Sequence, residues 1–389
     1  MRIGIDCRMM GPEQGGIGRY AEQLVKHLLE IDRENQYVLF LRKEQINNFQ
    51  FSILRVPQDR FFNFQLHTVL VDIPWYSWKE QTTLARTIRK QKLDLMHFPH
   101  WNVPIFYNDP FVVTIHDLIM FHYPRPEATT LGPIKFWLKD RMHRRVIRHA
   151  VNRAQHILVT SEFTKQDVHT MLHVPHDKMT VTYQAPFGDK KQETRNKKQI
   201  LEKYGIGKPF VLYVGAAYPH KNLEGLIEAW KIFSQKYGDQ YQLALVSRDD
   251  YFLRQIKTNY PITQLPNYPL FTGFVPDNDL AILYEHASLY VFPSLYEGFG
   301  LPPLEAQAFG VPVASSNRSC LPEVLGESAL YFDPENYQQM ADVIHRGLTD
   351  ENVRFELREK GRENLKRFSW GLLARQTVEI YDAVISPKS

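Results

Sequence analysis

Residues 291–316 read VFPSLYEGFGLPPLEAQAFGVPVASS, and this stretch carries the strongest signals of fold in the chain. An apolar run typical of a strand ends at Pro293, and a loop with Gly298 and Gly300 follows it. The double proline Pro302-Pro303 then predicts a helix start, because proline fits the first helical turn, where no backbone donor is needed. Strand, glycine loop and helix start in this order direct backbone N–H groups and a helix dipole at a bound phosphate.

Two carboxylates frame this loop. Glu297 lies inside it and Glu305 lies in the first helical turn, with seven residues between them. From the residues alone, such a pair suggests general acid–base chemistry on either side of a substrate.

The composition indicates a globular protein that does not span a membrane. Of 389 residues, 43% are hydrophobic and 23% charged, and no apolar run approaches the ~20 residues that cross a bilayer. The 47 basic and 43 acidic residues give a net charge of +4, which calls for no nucleic-acid partner. We interpret the start, MRIGIDCRMM, as a strand rather than a secretory signal, and so expect a cytoplasmic protein. Cys7 and Cys320 are expected to be buried free thiols.

The first half of the chain alternates apolar strands with amphipathic helices. This pattern predicts a parallel sheet covered by helices on both faces. The predicted elements are strands at Arg2–Cys7, Tyr37–Arg42, Leu95–Phe98, Phe111–Ile115 and His156–Thr160, and helices at Gly18–Glu30, Gln81–Gln91, Lys135–Arg153 and from Ser161 or Thr164.

A polar stretch between about Pro186 and Lys208 interrupts the pattern, and we expect an exposed connector there. The alternation then restarts and predicts a second parallel sheet, with its ligand at the carboxyl ends of the strands. Its predicted elements are strands at Phe210–Val214, Gln242–Val246, Leu270–Phe274, Leu289–Pro293 and Val311–Ser315, and helices at Leu223–Tyr237, Asp250–Thr258, Asp277–His286, Tyr337–Leu348, Glu351–Lys366 and Gly371–Val384.

Three further motifs follow predicted strands. The sequence GGIGRY, Gly15 to Tyr20, frees helix N-terminal amides for an anion, although a tight structural turn explains such glycines equally well. The pair His116-Asp117 ends a strand, where parallel sheets carry site residues; a histidine bonded within its own domain is the alternative. Lys221 in YVGAAYPHKN suits a diphosphate, and a solvated lysine beside a helix cap is the alternative.

A metal site is not expected. His97 and His100 also lie near a strand end, but no HxxxH or HExxH spacing accompanies them. Asp277-Asn278-Asp279 resembles a DxD motif, yet it follows Pro276 at a helix start, so helix capping explains it better.

Residues 135–153, KFWLKDRMHRRVIRHAVNR, form a predicted basic amphipathic helix. It holds seven Lys or Arg and one Asp, with apolar residues at roughly helical spacing. Such a helix binds an anionic lipid surface, or it packs as an ordinary surface helix on the sheet. Replacing Arg144, Arg145 and Arg148 by glutamate would distinguish the two.

Together these motifs resemble the retaining glycosyltransferases of family 4. The resemblance covers nearly the whole chain, because GGIGRY, IHD, SEFT from Ser161, GxxxxHKN, TGFVPDNDL and the paired glutamates occur in the family's order. It implies the GT-B fold, with two Rossmann-like, doubly wound parallel-sheet α/β domains facing a central cleft. The domains would span 1–190 and 191–369, and a last helix, 370–389, would return to the first domain.

The resemblance assigns roles to residues of the second domain. It implies that Glu305 binds the ribose hydroxyls of a nucleotide sugar, while Glu297 contacts the transferred sugar and Lys221 neutralises the departing diphosphate. The two glutamates would then be two stations along one donor. The backbone amides near the donor would come from Phe299, Gly300 and Leu301, and the base would lie near Gly273 and Phe274.

In the first domain, the resemblance implies that Gly15 and Gly16 close on the diphosphate and that His116 contacts the donor sugar. Many family members carry an arginine where this chain has Ala216 or His220. Leaving-group stabilisation would then depend on Lys221 with help from His220, or on Arg19.

The resemblance implies a metal-independent enzyme without a cofactor, and attack from the leaving-group face, with double displacement through Glu297 as the alternative. The mannosyltransferase branch is the nearest match, so GDP-mannose is the expected donor, and UDP-glucose or UDP-N-acetylglucosamine the second choice. The acceptor would be a saccharide or lipid-linked saccharide of a surface polysaccharide such as lipopolysaccharide. Two other hypotheses are a sugar-nucleotide epimerase on the same fold and a catalytically silent carbohydrate- or membrane-binding scaffold.

Overall fold

The computed structural model describes residues 1–11, 14–45, 66–124, 132–187, 197–261 and 267–385, with the side chains of 132–136 left undescribed. Contacts divide these residues into two α/β units. The first comprises 1–118, 132–184 and 369–385, and the second comprises 119–124 and 185–368, within the described ranges.

The first unit contains seven parallel strands in the order β3-β2-β1-β4-β5-β6-β7. Its central strands are buried on both faces, which explains their continuous apolar sequences. The strand order reverses between β1 and β4, and ligands of such sheets bind outside the carboxyl ends at this point. The strands are β1 Arg2–Asp6, β2 Gln36–Leu41, β3 His67–Leu70, β4 Leu95–Phe98, β5 Phe111–Ile115, β6 His156–Val159 and β7 Met179–Val181.

Helices cover this sheet. Gly18, in the first helix, has a structural reason to be glycine, because an added Cβ would lie 2.0 Å from the carbonyl oxygen of Gly11. Glu80–Leu84 forms a π-helical turn, and His176–Lys178 a 3₁₀ turn. The helices are α1 Gly15–Ile31, α2 Ala85–Lys90, α3 Ile119–His122, α4 Gly132–Arg153 and α5 Glu162–Leu172, of which α3 belongs to the second unit.

The second unit repeats this topology. Its six parallel strands have the order β10-β9-β8-β11-β12-β13, so the reversal falls between β8 and β11. The strands are β8 Phe210–Val214, β9 Gln242–Val246, β10 Leu270–Phe271, β11 Leu289–Phe292, β12 Val313–Ser316 and β13 Leu330–Phe332. The Cα atoms of Leu289 and Tyr290 pair with those of Val211 and Leu212, which places the loops after β8 and β11 side by side.

The remaining helices pack around the second sheet, except the last, which belongs to the first unit and contacts α1. Asp250 caps its helix by accepting a hydrogen bond from the Leu253 amide at 2.9 Å. The helices are α6 Lys197–Lys203, α7 Leu223–Tyr237, α8 Tyr251–Asn259, α9 Asp277–His286, α10 Leu301–Ala308, α11 Leu321–Leu325, α12 Tyr337–Thr349, α13 Glu351–Leu365 and α14 Trp370–Ile385. Among the described residues, no helix is long and apolar enough to cross a membrane.

Candidate active site

Lys221 and Glu297 form an ion pair where β8 and β11 end. The Lys221 Nζ lies 2.7 Å and 2.9 Å from the two Oε atoms of Glu297. The lysine side chain is 18% exposed and the glutamate side chain 8%, so a partly solvated cation covers a nearly buried anion. Lys221 ends a 3₁₀ turn, and Asn222 after it adopts the left-handed conformation (φ 57°) from which α7 begins.

Main-chain contacts fix the two loops that carry this pair. The Asn222 side-chain Nδ2 donates to the main-chain carbonyl oxygens of Pro293 (3.2 Å) and Pro334 (2.9 Å). The Leu295 N–H donates to the His220 carbonyl at 2.8 Å, which joins the loop after β11 to the turn after β8. The Glu297 N–H donates to the Ser319 Oγ at 3.0 Å. Both ends of the ion pair are therefore held from the backbone.

The glycine loop ends at the start of α10. Gly300 caps this helix with φ 88°, and an added Cβ would lie 2.8 Å from the Leu321 Cδ2. Pro302 and Pro303 carry no N–H, so the donors of this helix start are concentrated at Phe299, Gly300 and Leu301. Phe299 itself is buried, and its ring lies 5.6 Å from that of Phe368. The structure thus gathers the predicted amides at one helix N-terminus.

Glu305 lies one helical turn further into α10 and is 8% exposed. The Tyr284 hydroxyl donates to its Oε2 at 3.1 Å. Tyr290, behind it on β11, donates to the Val214 carbonyl at 3.3 Å, and burial raises the pKa of Tyr290 well above its usual value. The Glu305 carboxylate is therefore a hydrogen-bond acceptor whose Oε2 is held in place by Tyr284.

Gly273 and Phe274 follow β10 at the carboxyl ends of the strands, the end of the sheet that also carries Lys221 and Glu297. Gly273 has φ 75° and no atom within 4 Å of an added Cβ. The Phe274 side chain is 62% exposed, and the Arg248 guanidinium lies 5.4 Å from its ring centre. An open glycine beside an exposed ring offers a stacking surface for a planar group.

In the first unit, the predicted glycines occupy the start of α1. Gly15 has φ 63°, and both it and Gly16 are exposed, with no atom within 4 Å of an added Cβ. Arg19 lies one turn further along and is half-buried.

His116, directly after β5, is buried. Its Nε2 donates to the Pro99 carbonyl at 2.8 Å, and its Nδ1 lies 3.3 Å from the Gln184 amide nitrogen. The Tyr20 ring meets it edge-on at 4.7 Å. Burial lowers the pKa of His116 to about 4, so the ring is neutral at pH 7.

His97 and His100 are the two histidines considered for a metal site. His97 is bonded to the Tyr381 hydroxyl (2.6 Å) and the Thr114 Oγ1 (2.9 Å), and burial lowers its pKa to about 3. Burial also lowers the pKa of His100 well below its usual value. In the part of the chain that the structure describes, no group of three or more His, Cys, Asp or Glu side chains is arranged to hold a metal ion.

The sequence Asp277-Asn278-Asp279 has a structural role at the start of α9. Asp277 occupies the first turn of α9, with Pro276 at the cap position, one residue earlier than the sequence suggests. Asp279 is buried and accepts hydrogen bonds from the Lys203 Nζ (2.7 Å) and the Tyr204 hydroxyl (2.8 Å).

Sequence reasoning missed two partners of the glutamates, Ser319 and Tyr284. A serine after a strand and a tyrosine inside a helix are common, and no local signal marks them. A third omission is the segment 119–124, which belongs to the second unit although the sequence around it belongs to the first.

Comparison with known proteins defines the class. Two Rossmann-like domains with this strand order form the GT-B architecture of glycosyltransferases. The structure of Anabaena Alr3699/HepE in complex with UDP-glucose shares the fold, with a TM-score of 0.73 over 98% of this chain and 100% of that one, at 15% identity.

Family models then identify the chain. Residues 14–185 match Glycosyltransferase Family 4 and residues 193–366 match Glycosyl transferases group 1, so the chain is a glycosyltransferase of this family. It is 28% identical to O-antigen chain mannosyltransferase B of Escherichia coli, over 94% of this chain and 95% of the relative. It is 26% identical to O-antigen chain mannosyltransferase RfbU of Salmonella typhimurium, over 88% and 92%.

Proposed function

We propose that this glycosyltransferase is a retaining α-mannosyltransferase that moves mannose from GDP-mannose to a saccharide or lipid-linked saccharide during synthesis of a surface polysaccharide. Two relatives that match nearly the full length are O-antigen chain mannosyltransferases, which supports the sugar and the type of acceptor. UDP-glucose and UDP-N-acetylglucosamine are the alternative donors.

The observation that carries the proposal is the Lys221–Glu297 ion pair beside the N-terminus of α10. A diphosphate placed at the carboxyl ends of β8 and β11 would meet the lysine charge and the amides of Phe299–Leu301 together. Negative charge grows on the diphosphate as the sugar leaves, so these groups would stabilise the transition state more than the bound donor.

In the proposed reaction, the bond between the sugar C1 and the β-phosphate oxygen breaks while an acceptor hydroxyl attacks C1 from the same face. The acceptor proton passes to the departing phosphate oxygen. Because attack and departure take place on the same face, the configuration at C1 is retained. Glu297 is a poor nucleophile for a double displacement, because Lys221 contacts both of its oxygens. Its proposed role is to accept hydrogen bonds from the transferred sugar.

The remaining roles follow the same donor. Glu305 would accept hydrogen bonds from the ribose hydroxyls, and Phe274 with Gly273 would receive the base. From the first domain, Gly15, Gly16 and Arg19 would approach the diphosphate. His116 would contact the donor sugar there as a neutral ring, since burial keeps its pKa at about 4. His220, which is 1% exposed, would support Lys221 from behind.

A screen of nucleotide sugars tests the donor. Ligand that binds the folded state raises the melting temperature, so GDP-mannose and GDP should stabilise the protein more than UDP-glucose or UDP-N-acetylglucosamine. Mannose transfer to a lipid-linked acceptor should persist in EDTA, because no metal is expected. Turnover of a nucleotide sugar without acceptor would favour the epimerase, and no stabilisation by any nucleotide sugar would favour the scaffold.

We further propose that α4 contacts an anionic membrane surface, where a lipid-linked acceptor would lie. The C-terminal half of α4 packs inward through Val146, Ile147, Ala150 and Val151. Its first half instead exposes large apolar side chains: Trp137 is 55%, Leu138 53% and Met142 42% exposed. Helical spacing places these three on the outward side of the helix. Packing on the sheet alone does not require apolar side chains on that side.

Arginines share that outward side. Arg141, Arg145 and Arg148 are exposed and follow Trp137 at intervals of four, eight and eleven residues, so they line one face. The acidic residue Asp140 is instead bonded to Arg144 at 2.7 Å. A face of aromatic, aliphatic and arginine side chains suits the headgroup region of an anionic bilayer.

Sedimentation with liposomes tests this contact. Replacing Arg141, Arg145 and Arg148 by glutamate should release the protein from vesicles containing phosphatidylglycerol, since each basic residue near such a surface contributes about 1 kcal/mol. The same charge change at the exposed residues Lys360 and Arg362 of α13, and at Lys366 directly after it, is the matched control. Equal binding by both variants would show that α4 is structural.

A further inference from the structure

The chain enters the second unit earlier than its sequence suggests. After Leu118, residues 119–124 belong to the second unit, although the chain returns to the first unit afterwards. Ile119–His122 form a single helical turn, and the Tyr123 N–H donates to the Ile119 carbonyl at 2.7 Å. We call residues 119–124 the strap.

Aromatic contacts attach the strap to the candidate active site. The His122 ring lies 4.8 Å from the Tyr296 ring. The Tyr123 ring contacts two partners, His220 at 6.0 Å and Tyr296 at 6.2 Å. His220 is also stacked on Tyr218 at 5.9 Å. Both partners of Tyr123 are buried, His220 at 1% and Tyr296 at 5% exposure.

These partners are the chain neighbours of the ion pair. His220 directly precedes Lys221, and Tyr296 directly precedes Glu297. Tyr123 therefore packs across the two loops that present the lysine and the glutamate. Besides the ion pair itself, these loops are joined by the hydrogen bonds from the Leu295 N–H to the His220 carbonyl and from the Asn222 Nδ2 to the Pro293 carbonyl.

We infer that Tyr123 is a positioning residue, which holds the loops after β8 and β11 at the separation that the Lys221–Glu297 pair needs. The inference rests on the proposed function, because it supposes that this pair acts on the donor. Without the ring, both loops lose a common contact, and the lysine has more freedom to leave the position in which it meets a diphosphate. Small displacements of a catalytic charge have large effects on rate.

The test compares Tyr123→Ala with Tyr123→Phe. We expect alanine to lower kcat by about tenfold with little change in KM for the acceptor, since the reacting charge and not the acceptor site is displaced. Phenylalanine should restore most of the loss, because the contacts are made by the ring. Tyr241→Ala is the matched control. Tyr241 is also half-buried and contacts the Phe233 ring at 6.3 Å. It directly precedes β9, at the amino ends of the strands and therefore at the end of the sheet opposite to Lys221 and Glu297.

A double-mutant cycle separates positioning from general stability. If Tyr123 acts through Lys221, Tyr123→Ala should lower kcat by less than about twofold further in a Lys221→Ala background, measured by single turnover. A tenfold loss in both backgrounds would mean that the two residues act independently and would overturn the inference. So would equal losses in Tyr123→Ala and Tyr241→Ala.

Nucleotide binding keeps this outcome distinct from failure of the proposed function. GDP and UDP are tested by thermal shift, which needs no sugar transfer. Reduced stabilisation in Tyr123→Ala but not in Tyr123→Phe supports the strap even if the donor sugar is not mannose. If GDP and UDP stabilise every variant as much as the wild type, the inference about Tyr123 is wrong. If neither nucleotide stabilises even the wild type, the proposed function is wrong.

Discussion

Replacing Lys221 by alanine should affect stability and turnover by separable amounts. The substitution leaves the Glu297 carboxylate, 8% exposed, without the cation that touches both its oxygens. Breaking a fully buried ion pair costs about 3–5 kcal/mol. Because the lysine side chain is 18% exposed, water can reach the vacated space, and we expect a loss nearer about 2 kcal/mol.

The expected effect on turnover is larger. Removing one group that stabilises developing charge lowers kcat by about 10²- to 10³-fold in enzymes of known mechanism. The double variant Lys221→Ala with Glu297→Gln removes the stranded charge but does not restore the cation. Its unfolding free energy should therefore recover by more than about 1 kcal/mol relative to Lys221→Ala, while kcat stays low.

Urea unfolding measures the first quantity, and release of nucleoside diphosphate during transfer measures the second. The single variant Glu297→Gln serves as the comparison for both. Recovery of kcat in the double variant would refute the reasoning, because it would mean that Lys221 only compensates the charge of Glu297. Full turnover in Lys221→Ala would refute it directly.

Three other substitutions or conditions give further tests. Glu305→Ala should raise the KM for the donor by about tenfold with kcat within about threefold, whereas a fall in kcat alone would contradict a ribose contact. Burial lowers the pKa of His97 to about 3 and of His116 to about 4, so below pH 6.5 the unfolded chain takes up protons that the folded chain does not. The unfolding free energy should then fall as the pH drops from 6.5 to 5, by at most about 1.4 kcal/mol per pH unit for each histidine, and a flat urea series would exclude this. Gly300→Ala should destabilise more than Gly310→Ala, since both have positive φ (88° and 72°) but only the first places a Cβ 2.8 Å from a leucine methyl group; equal midpoints in urea would contradict the steric argument.

Apolar periodicity predicted the inner parts of both sheets well. Phe210–Val214, Leu223–Tyr237 and Gln242–Val246 have the bounds expected from sequence. The strands that were missed are His67–Leu70, Met179–Val181 and Leu330–Phe332, and all three are edge strands. An edge strand pairs with a neighbouring strand on one side only, and its side chains are less fully buried than those of a central strand. Its sequence therefore shows a weaker apolar pattern.

The expected connector was wrong over part of its length. Lys197–Lys203 is a helix within the stretch predicted as exposed chain, while residues 188–196 lie outside the described residues. Polar residues with good helix propensity form a surface helix without a strong apolar stripe. Here Lys203 is bonded to Asp279 of α9, a contact made far along the chain.

The site was partly readable because its residues follow predicted strands. That Lys221 and Glu297 touch was not readable, since they are 76 residues apart and their meeting depends on β8 lying beside β11. Local sequence carries little information on strand order. The role of Tyr123 was hidden for the same reason, because its contacts depend on which unit the strap joins.

The last helix makes the first domain late to assemble during protein synthesis. The Tyr381 hydroxyl bonds to His97 at 2.6 Å, and the Trp370 ring lies 6.2 Å from that of Tyr20. The surface of the first domain that receives this helix emerges from the ribosome 284 residues earlier at His97, and earlier still at Tyr20. This is roughly 15–60 s at ordinary elongation rates of about 5–20 residues per second. During that interval the second domain can complete its own core. The domain made first is therefore the domain finished last, and chaperones would meet its uncovered apolar surface on every nascent chain.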